Sequence, residues 1–197
     1  AYVVAAAMLL PGSELTIERV GLNPTRAAFL DVLKSWGAEI SVTDVQSERN
    51  EPFGTIHVRG GTNRTAGESE RTLSGTLIPA LIDELPLLAV VGSQIDGGIQ
   101  IRDARELRLK ESDRLATTAM NLRAMGVEVE EFEDGLAVSG SRRLRGTLVD
   151  SHADHRIAMA FSVAALLADG ETQIDGSECV AISFPEFYTL LDSLAVR

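Results

Sequence analysis

The stretch RIAMAFSVAALLADGETQIDG, residues 156–176, contains the pattern from which the fold can be predicted. An apolar run rich in alanine and leucine ends at Gly170, and a short alternating stretch follows it up to Gly176. A run that is apolar on nearly all sides predicts a buried helix, whereas alternation predicts a strand with one buried face. The stretch therefore predicts a buried helix followed by a strand.

The same order of elements occurs three times, and each copy continues into an amphipathic helix. The other helix–strand stretches are YVVAAAMLLPGSELTIERV (residues 2–20) and PLLAVVGSQIDGGIQIRDA (residues 86–104). The amphipathic stretches are NPTRAAFLDVLKSWGAEISV (residues 23–42), SDRLATTAMNLRAMGVEVEEF (residues 112–132) and SFPEFYTLLDSLAV (residues 183–196). This repetition indicates that the chain is built from three related units.

Local signals define the limits of the amphipathic helices. Asn23 before Pro24 is typical of a helix start, and Gly37 is typical of a helix end. Ser112, as N-cap, and Gly126 occupy the corresponding positions in the second copy. Both helices are therefore predicted to begin and end within a residue or two of these positions.

The first two copies end in predicted pairs of antiparallel strands. Residues 39–43 pair with residues 55–59, and residues 127–132 pair with residues 136–139 through the hairpin signal Asp134-Gly135. The third copy has no such pair after its second helix, which leaves a sheet position unfilled.

We therefore predict an α/β (α+β) fold of three βαβαββ units, at about residues 1–66, 67–146 and 147–197. The first helix of each unit lies at the centre, the third unit is incomplete, and residues 1–197 form one domain.

Composition restricts the classes of partner. The 29 acidic residues outnumber the 18 basic ones, which gives a formal net charge of -11. Nucleic acids and anionic membranes require a positive surface, so we predict neither as a partner. The single cysteine, Cys179, favours a reducing compartment and a cytoplasmic location. The three histidines lack zinc-site spacing, so we predict no metal. We also predict no cofactor.

Three charged clusters stand at equivalent places in the repeat. They are IDELP (residues 82–86), LKESDR (residues 109–114) and SHADHR (residues 151–156), each at a predicted helix start. Taken singly, each is explained by helix capping or a structural ion pair. Taken together, they supply arginines for carboxylate or phosphate, a lysine, carboxylates for proton transfer and an imidazole. This set suits a metal-independent reaction on small anionic substrates.

The motifs LRLKESDR, ADHRIAMAFSVAALL and SFPEFYTLL, in this order and within this repeat, closely resemble the 5-enolpyruvylshikimate-3-phosphate synthase family. The resemblance covers the whole chain and implies an enolpyruvyl transferase-like domain, the C-terminal part of a two-domain enzyme. The implied reaction transfers the enolpyruvyl group of phosphoenolpyruvate to the 5-hydroxyl of shikimate 3-phosphate and releases phosphate, in aromatic amino acid biosynthesis.

The resemblance also implies roles for six residues. Asp83, Glu111 and His155 match catalytic residues: Asp83 as the proton acceptor that also contacts the shikimate hydroxyls, and Glu111 in proton transfer to the methylene carbon. Lys110 matches a ligand of shikimate 3-phosphate. Arg114 and Arg156 match the pair that binds phosphoenolpyruvate.

The chain departs from the family pattern at two positions. Ile182 stands where many members carry a lysine that contacts phosphoenolpyruvate, and Glu106 stands where many carry an asparagine. Further family ligands belong to an N-terminal domain that this sequence lacks. Because the apolar run at Ala1 has no initiator Met or cap, we expect the chain to be a piece of a longer protein, inactive without that domain.

Two alternatives remain open at the level of sequence. One is a UDP-N-acetylglucosamine enolpyruvyl transferase-like enzyme, which shares the chemistry but uses a catalytic cysteine. Cys179 is too late in the chain for that role. The other is a noncatalytic binding module.

Overall fold

A computed structural model of the chain describes residues 1–61, 65–140 and 143–194, apart from the side chains of residues 24–26. The helices are α1 (Tyr2–Leu9), α2 (Pro24–Ser35), α3 (Leu77–Leu81), α4 (Leu85–Gly92), α5 (Arg114–Ala124), α6 (His155–Ala165) and α7 (Phe187–Leu194). The strands are β1 (Glu14–Gly21), β2 (Glu39–Glu48), β3 (Glu51–Arg59), β4 (Thr72–Leu73), β5 (Ile99–Ile101), β6 (Val129–Phe132), β7 (Gly135–Val138), β8 (Leu148–Asp150) and β9 (Gln173–Asp175). The predicted end of the last helix, residues 195–196, lies outside the described residues.

The three helices predicted to be buried form the centre of the fold. α1, α4 and α6 pack on one another. α1 is buried from Val4 to Leu9, every residue of α4 is buried, and α6 is buried from Ile157 to Ala164. Because these helices have no broad polar face, burial on all sides removes the most apolar surface from water. The centre of the fold is therefore helical.

Three sheets surround these helices. Their strand orders are β1-β3-β2, β4-β5-β7-β6 and β8-β9. In the second and third sheets, the strand before a buried helix pairs in parallel with the strand after it, as in β4 with β5 and β8 with β9. The parallel pairs and the helices between them establish the predicted α/β class, while the limits of the three units stay a prediction.

Both predicted strand pairs are present. In β2 and β3, Glu39 lies opposite Arg59, and in the hairpin of β6 and β7, Phe132 lies opposite Gly135. A β-carbon at Gly135 would collide with the backbone carbonyl of Ile101 in β5. The glycine therefore permits the close approach of two strands, in addition to marking the turn.

Three helix boundaries predicted from sequence are confirmed. α2 begins at Pro24, and the glycines after α2 and α5 take left-handed conformations, with φ of 87° at Gly37 and 91° at Gly126. Glycine reaches this region without the steric cost that a β-carbon imposes.

The predicted N-cap of α5 was wrong by one residue. Asp113, not Ser112, caps the helix, and its carboxylate accepts a hydrogen bond of 3.0 Å from the Ala116 backbone N–H. The Ser112 hydroxyl instead donates to Asp154, 3.1 Å away, at the start of α6. Either residue type can cap a helix, and the tertiary contact with Asp154 decides between them.

The third sheet consists of β8 and β9, and within the described part of the chain no antiparallel strand pair extends it. None of the described helices is long and apolar enough to cross a membrane.

The central position of α4 predicts a large effect of truncating one of its side chains. Leu88 is 0% exposed, so Leu88→Ala should lower the free energy of unfolding by about 2–5 kcal/mol through lost contacts and the cavity left behind. Leu148→Ala in β8, where the side chain is 61% exposed, is the matched control and should have a much smaller effect. Urea denaturation measures both, and equal effects would contradict the central position of α4.

Candidate active site

The three charged clusters meet at the starts of three helices. Asp83 and Glu84 directly precede α4, Arg114 begins α5, and Asp154 caps α6 immediately before His155. The first N–H groups of a helix lack intrahelical partners and carry partial positive charge. We call the six side chains that meet here the arginine cluster: Asp83, Glu84, Glu111, Arg114, Asp154 and Arg156.

Arg114 joins all three helix starts. Its side chain is 1% exposed, and its Nε donates to Oδ2 of Asp154 at 2.7 Å. Its Nη2 donates to Oε2 of Glu111 at 2.6 Å, and its Nη1 donates to Oδ1 of Asp83 at 3.3 Å. One planar guanidinium therefore holds three segments that are distant in sequence.

Asp154 is the buried counter-charge of Arg114. Its side chain is 0% exposed, and it also accepts hydrogen bonds from the Ser112 hydroxyl and, at 2.9 Å, from the Arg156 backbone N–H. Burial raises the pKa of Asp154, but the hydrogen bonds and the charge of Arg114 outweigh burial, so that the pKa is lowered overall. Burial lowers the pKa of Arg114, and its pairing with Asp154 raises it more. Both groups are therefore charged at neutral pH.

Arg156 holds the other side of Asp83. Its Nη2 lies 3.0 Å from Oδ2 of Asp83, its Nη1 donates to the Asp83 carbonyl at 3.3 Å, and the same Nη1 lies 3.6 Å from Oε1 of Glu84. The Asp83 side chain is 28% exposed and that of Arg156 is 24% exposed. Asp83 thus lies between two guanidinium groups while remaining open to solvent.

The arginine cluster contains more carboxylates than arginines. Four carboxylates face two guanidinium groups, so the cluster is formally negative with all six groups ionised. Binding of small anions at this place therefore requires further cations or the displacement of a carboxylate from its arginine. The exposed contacts, those of Asp83, Glu84 and Glu111, are the ones that can be displaced at the lowest desolvation cost.

Two predicted site residues are not joined to the arginine cluster. The Lys110 ammonium forms an ion pair with Glu106, one helical turn earlier in the chain. His155 is the half-buried first residue of α6, and no described side chain holds its ring by a hydrogen bond or ion pair. Ile182, at the position of the family lysine, is 78% exposed.

Two members of the arginine cluster had no role predicted from sequence. Glu84 and Asp154 lie inside the quoted motifs, for which the sequence by itself suggests helix capping and, around Asp154, a structural ion pair. The signal for Asp154 was its position before an apolar helix, where a capping carboxylate is expected to be exposed. Its complete burial against Arg114 depends on the packing of α5 on α6.

Cys179 lacks the features of a reactive thiol. It is 8% exposed, and burial raises its pKa, which the hydrogen bond with the Ser151 hydroxyl only partly opposes. A buried thiol with a raised pKa is a poor nucleophile. Among the described residues, no group of three or more His, Cys, Asp or Glu side chains is arranged to hold a metal ion.

Comparisons with known proteins agree on one family. The sequence model of the family EPSP synthase (3-phosphoshikimate 1-carboxyvinyltransferase) matches residues 1–191. A 3-phosphoshikimate 1-carboxyvinyltransferase of Koribacter versatilis is 54% identical over 197 residues, 100% of this chain and 45% of the relative. Its counterpart in Thermodesulfovibrio yellowstonii is 45% identical over 194 residues, 98% of this chain and 44% of the relative.

Two solved structures superpose on the chain. EPSP synthase from Acinetobacter baumannii superposes with a TM-score of 0.87 at 34% identity, over 98% of this chain and 44% of that one. The enolpyruvyl transferase NikO from Streptomyces tendae superposes with a TM-score of 0.72 at 22% identity, over 98% of this chain and 41% of that one, and shares the fold.

The buried pair predicts a pH-dependent loss of stability in Asp154→Asn. At pH 7 the variant should lose up to about 3–5 kcal/mol of unfolding free energy, because Arg114 loses its fully buried counter-charge and keeps only the more exposed Glu111 and Asp83. Folding lowers the pKa of Asp154, so its contribution is complete above the unfolded value of about 3.9 and is lost as the pH falls through the folded value. The difference between wild type and variant should therefore shrink in acid.

Urea denaturation from pH 7 down to about pH 2 measures this difference. The matched control is Asp169→Asn, which removes an exposed partner of Arg143 and should change stability little at any pH. A difference between wild type and Asp154→Asn that stays constant with pH would contradict the assignment.

Proposed function

The chain belongs to the EPSP synthase family, and we propose that it supplies one half of an active site that transfers the enolpyruvyl group of phosphoenolpyruvate to shikimate 3-phosphate. The acceptor is the 5-hydroxyl, and phosphate is the second product. The chain spans less than half the length of the relatives it matches. The activity and both substrates are therefore proposed for the complete protein, in the cytoplasm.

The observation that carries this proposal is the position of Asp83 between Arg114 and Arg156. A carboxylate held at 3.0–3.3 Å from two guanidinium groups is fixed in place, and 28% exposure leaves it accessible to a substrate. The same arginines can bind an anion beside it, because a guanidinium fork matches carboxylate and phosphate groups. A proton acceptor and an anion site thus become neighbours.

The proposed reaction is an addition followed by an elimination. As the hydroxyl oxygen bonds to the central carbon of phosphoenolpyruvate, Asp83 accepts the hydroxyl proton and Glu111 transfers a proton to the methylene carbon. In the elimination, Glu111 takes a proton back from the resulting methyl group as the carbon–oxygen bond to phosphate breaks, which restores the double bond and releases phosphate. His155 is proposed to help place these groups, consistent with its position at the start of α6.

Lys110 is proposed to bind the phosphate of shikimate 3-phosphate. Its ion pair with Glu106 is partly exposed, with 66% of the Glu106 side chain accessible, so the phosphate can replace this carboxylate at small cost. The stronger the ion pair between Glu106 and Lys110, the more Glu106 weakens the proposed binding of the phosphate by Lys110.

The negative charge of the arginine cluster supports a further part of the proposal. Both substrates carry several negative charges. Arg114, Arg156 and Lys110 are the available cations, and nearby carboxylates already offset their charge, so that binding both substrates needs further cations. We propose that the missing N-terminal domain of the same enzyme supplies these cations when it closes over the site. The chain alone should therefore show no turnover.

The buried Cys179 gives no support to a UDP-N-acetylglucosamine enolpyruvyl transferase that depends on a cysteine. A noncatalytic module has no specific observation in its favour. The deciding experiment is phosphate release by the complete protein with phosphoenolpyruvate and shikimate 3-phosphate, with UDP-N-acetylglucosamine as the alternative acceptor. No release with shikimate 3-phosphate would overturn the proposal.

Asp83→Asn in the complete protein should lower kcat by about two to four orders of magnitude, the range for a lost general acid–base group. Glu84→Gln is the matched control, since it removes a neighbouring carboxylate of similar exposure that also faces Arg156. The control should keep kcat within about tenfold of wild type. Steady-state kinetics measure both, and a kcat of Asp83→Asn close to that of the control would remove Asp83 from the mechanism.

Arg156→Lys should weaken phosphoenolpyruvate binding more than shikimate 3-phosphate binding, although the charge is kept, because lysine lacks the bidentate fork. Separate titrations of the two substrates measure this. Arg123→Lys, at an exposed arginine that donates to the Val129 carbonyl, is the control. Equal weakening of the binding of both substrates would show that the assignment is wrong.

Arg114→Lys should act in the same direction but also destabilise the fold, because that side chain is buried.

A further inference from the structure

Lys110 and Glu111 lie on a short segment between two helices. The segment consists of residues 110–113, and it follows a 3-10 helix (Arg105–Leu109) and ends where α5 begins. Its residues belong to no helix or strand of the described chain, and the side chain of Leu109 just before it is 84% exposed. Regular backbone hydrogen bonding and apolar burial therefore contribute little to the position of Lys110 and Glu111. Side-chain contacts at the two ends of the segment have to fix it.

Arg108 makes such contacts with all three nitrogens of its guanidinium. Its Nη1 donates to Oδ2 of Asp113 at 2.7 Å, and its Nε donates to the Glu133 carbonyl at 2.9 Å. Its Nη2 donates to the Phe132 carbonyl at 2.6 Å and to Oε1 of Glu131 at 3.0 Å. The side chain is 23% exposed. Because a guanidinium is planar and rigid, four acceptors at these distances fix its position and orientation.

The hairpin of β6 and β7 is a firm support for Arg108. Its two strands pair over four residues each, and α5 packs on both strands. Arg123, in the last turn of α5, donates to the Val129 carbonyl in β6 at 2.8 and 3.1 Å. At the hairpin turn, Asp134 accepts a hydrogen bond of 3.2 Å from Arg102. The hairpin is thus held by contacts that do not involve Arg108.

Asp113 connects Arg108 to α5. Its Oδ1 accepts from the Ala116 backbone N–H as the helix cap, while its Oδ2 accepts from Arg108. A residue that only supported this cap would need the contact with Asp113 and no other. The other three hydrogen bonds of Arg108 run to the hairpin. Arg108 therefore ties the hairpin to the cap of α5, across the segment that carries Lys110 and Glu111.

Arg108 and Arg114 hold opposite ends of this segment. Arg114 fixes the end at α5 through its buried pair with Asp154, and Arg108 fixes the end at the 3-10 helix. Lys110 and Glu111 lie between the two arginines in the chain. A reacting or binding group that is displaced by about 1 Å can lose about 100-fold in rate. Loosening one end of the segment should therefore reach the site although Arg108 itself is outside the arginine cluster.

We propose that Arg108 is a positioning residue, which holds Lys110 and Glu111 in place by tying their segment to the β6–β7 hairpin. The proposal rests on the proposed function, in which Lys110 binds the phosphate of shikimate 3-phosphate and Glu111 transfers protons. It assigns Arg108 no contact with either substrate. Removal of the guanidinium should thus lower turnover through Glu111 and lower the affinity for shikimate 3-phosphate through Lys110.

Arg108→Lys and Arg105→Lys in the complete protein form a matched pair. Both keep the charge, and both residues lie on the same 3-10 helix and face the same hairpin, but Arg105 is 74% exposed and forms a surface ion pair with the Glu133 carboxylate. Arg108→Lys should lower kcat about 10–100-fold and raise Kd for shikimate 3-phosphate about 5–20-fold, because one ammonium cannot hold four acceptors. Arg105→Lys should keep both constants within about twofold of wild type.

A second substitution distinguishes positioning from a general effect on stability. In a Lys110→Ala background, Arg108→Lys should change Kd for shikimate 3-phosphate by less than about twofold, because the group through which Arg108 acts is absent. Titrations of the four proteins measure this, at a temperature at which circular dichroism shows all of them folded. If Arg108→Lys raises Kd by the same factor with and without Lys110, Arg108 does not act through Lys110 and the proposal is wrong.

Amide hydrogen exchange tests the position of the segment without substrates. Exchange at residues 109–113 should be faster in Arg108→Lys than in wild type or Arg105→Lys, because local opening of the segment becomes easier. Unchanged exchange there overturns the proposal. If the wild-type complete protein neither binds shikimate 3-phosphate nor releases phosphate, the proposed function fails. The exchange experiment then still decides whether Arg108 holds the segment.

Discussion

The buried ion pair between Arg114 and Asp154 is the interaction on which the candidate site depends. Removal of Arg114 leaves Asp154 as a buried charge without its counter-charge, and removal of Asp154 leaves Arg114 with only the more exposed Glu111 and Asp83. The pair therefore constrains α5 and α6 to one relative position. The Nη atoms of the same guanidinium donate to Glu111 and to Asp83, which lies directly before the start of α4. The site is thereby assembled by a contact within the core, and not by the surface loops alone.

The side chains of the arginine cluster differ in their exposure to solvent. Asp154 and Arg114 are buried, whereas Asp83, Glu84, Glu111 and Arg156 remain partly open. Buried contacts are expensive to break and open ones are not, so contacts can be exchanged at lower cost on the open side. Carboxylates outnumber guanidinium groups there, in line with the proposal that a further part of the protein supplies cations. The matched relatives are more than twice as long as this chain.

The sequence by itself determined the buried helices, the amphipathic helices, the strand pairs and the three charged clusters, because hydrophobic period and turn residues act over a few neighbouring positions. The resemblance carried by its motifs also marked Asp83, Glu111, Arg114 and Arg156 as candidates. Only the tertiary structure decided that Asp113 caps α5 and that Asp154 is buried against Arg114. These outcomes depend on contacts between residues separated by 40 or more positions, as in Arg114–Asp154 and Ser112–Asp154. Local sequence patterns do not show which of two possible partners a residue contacts across such a distance. The packing of whole helices determines that contact.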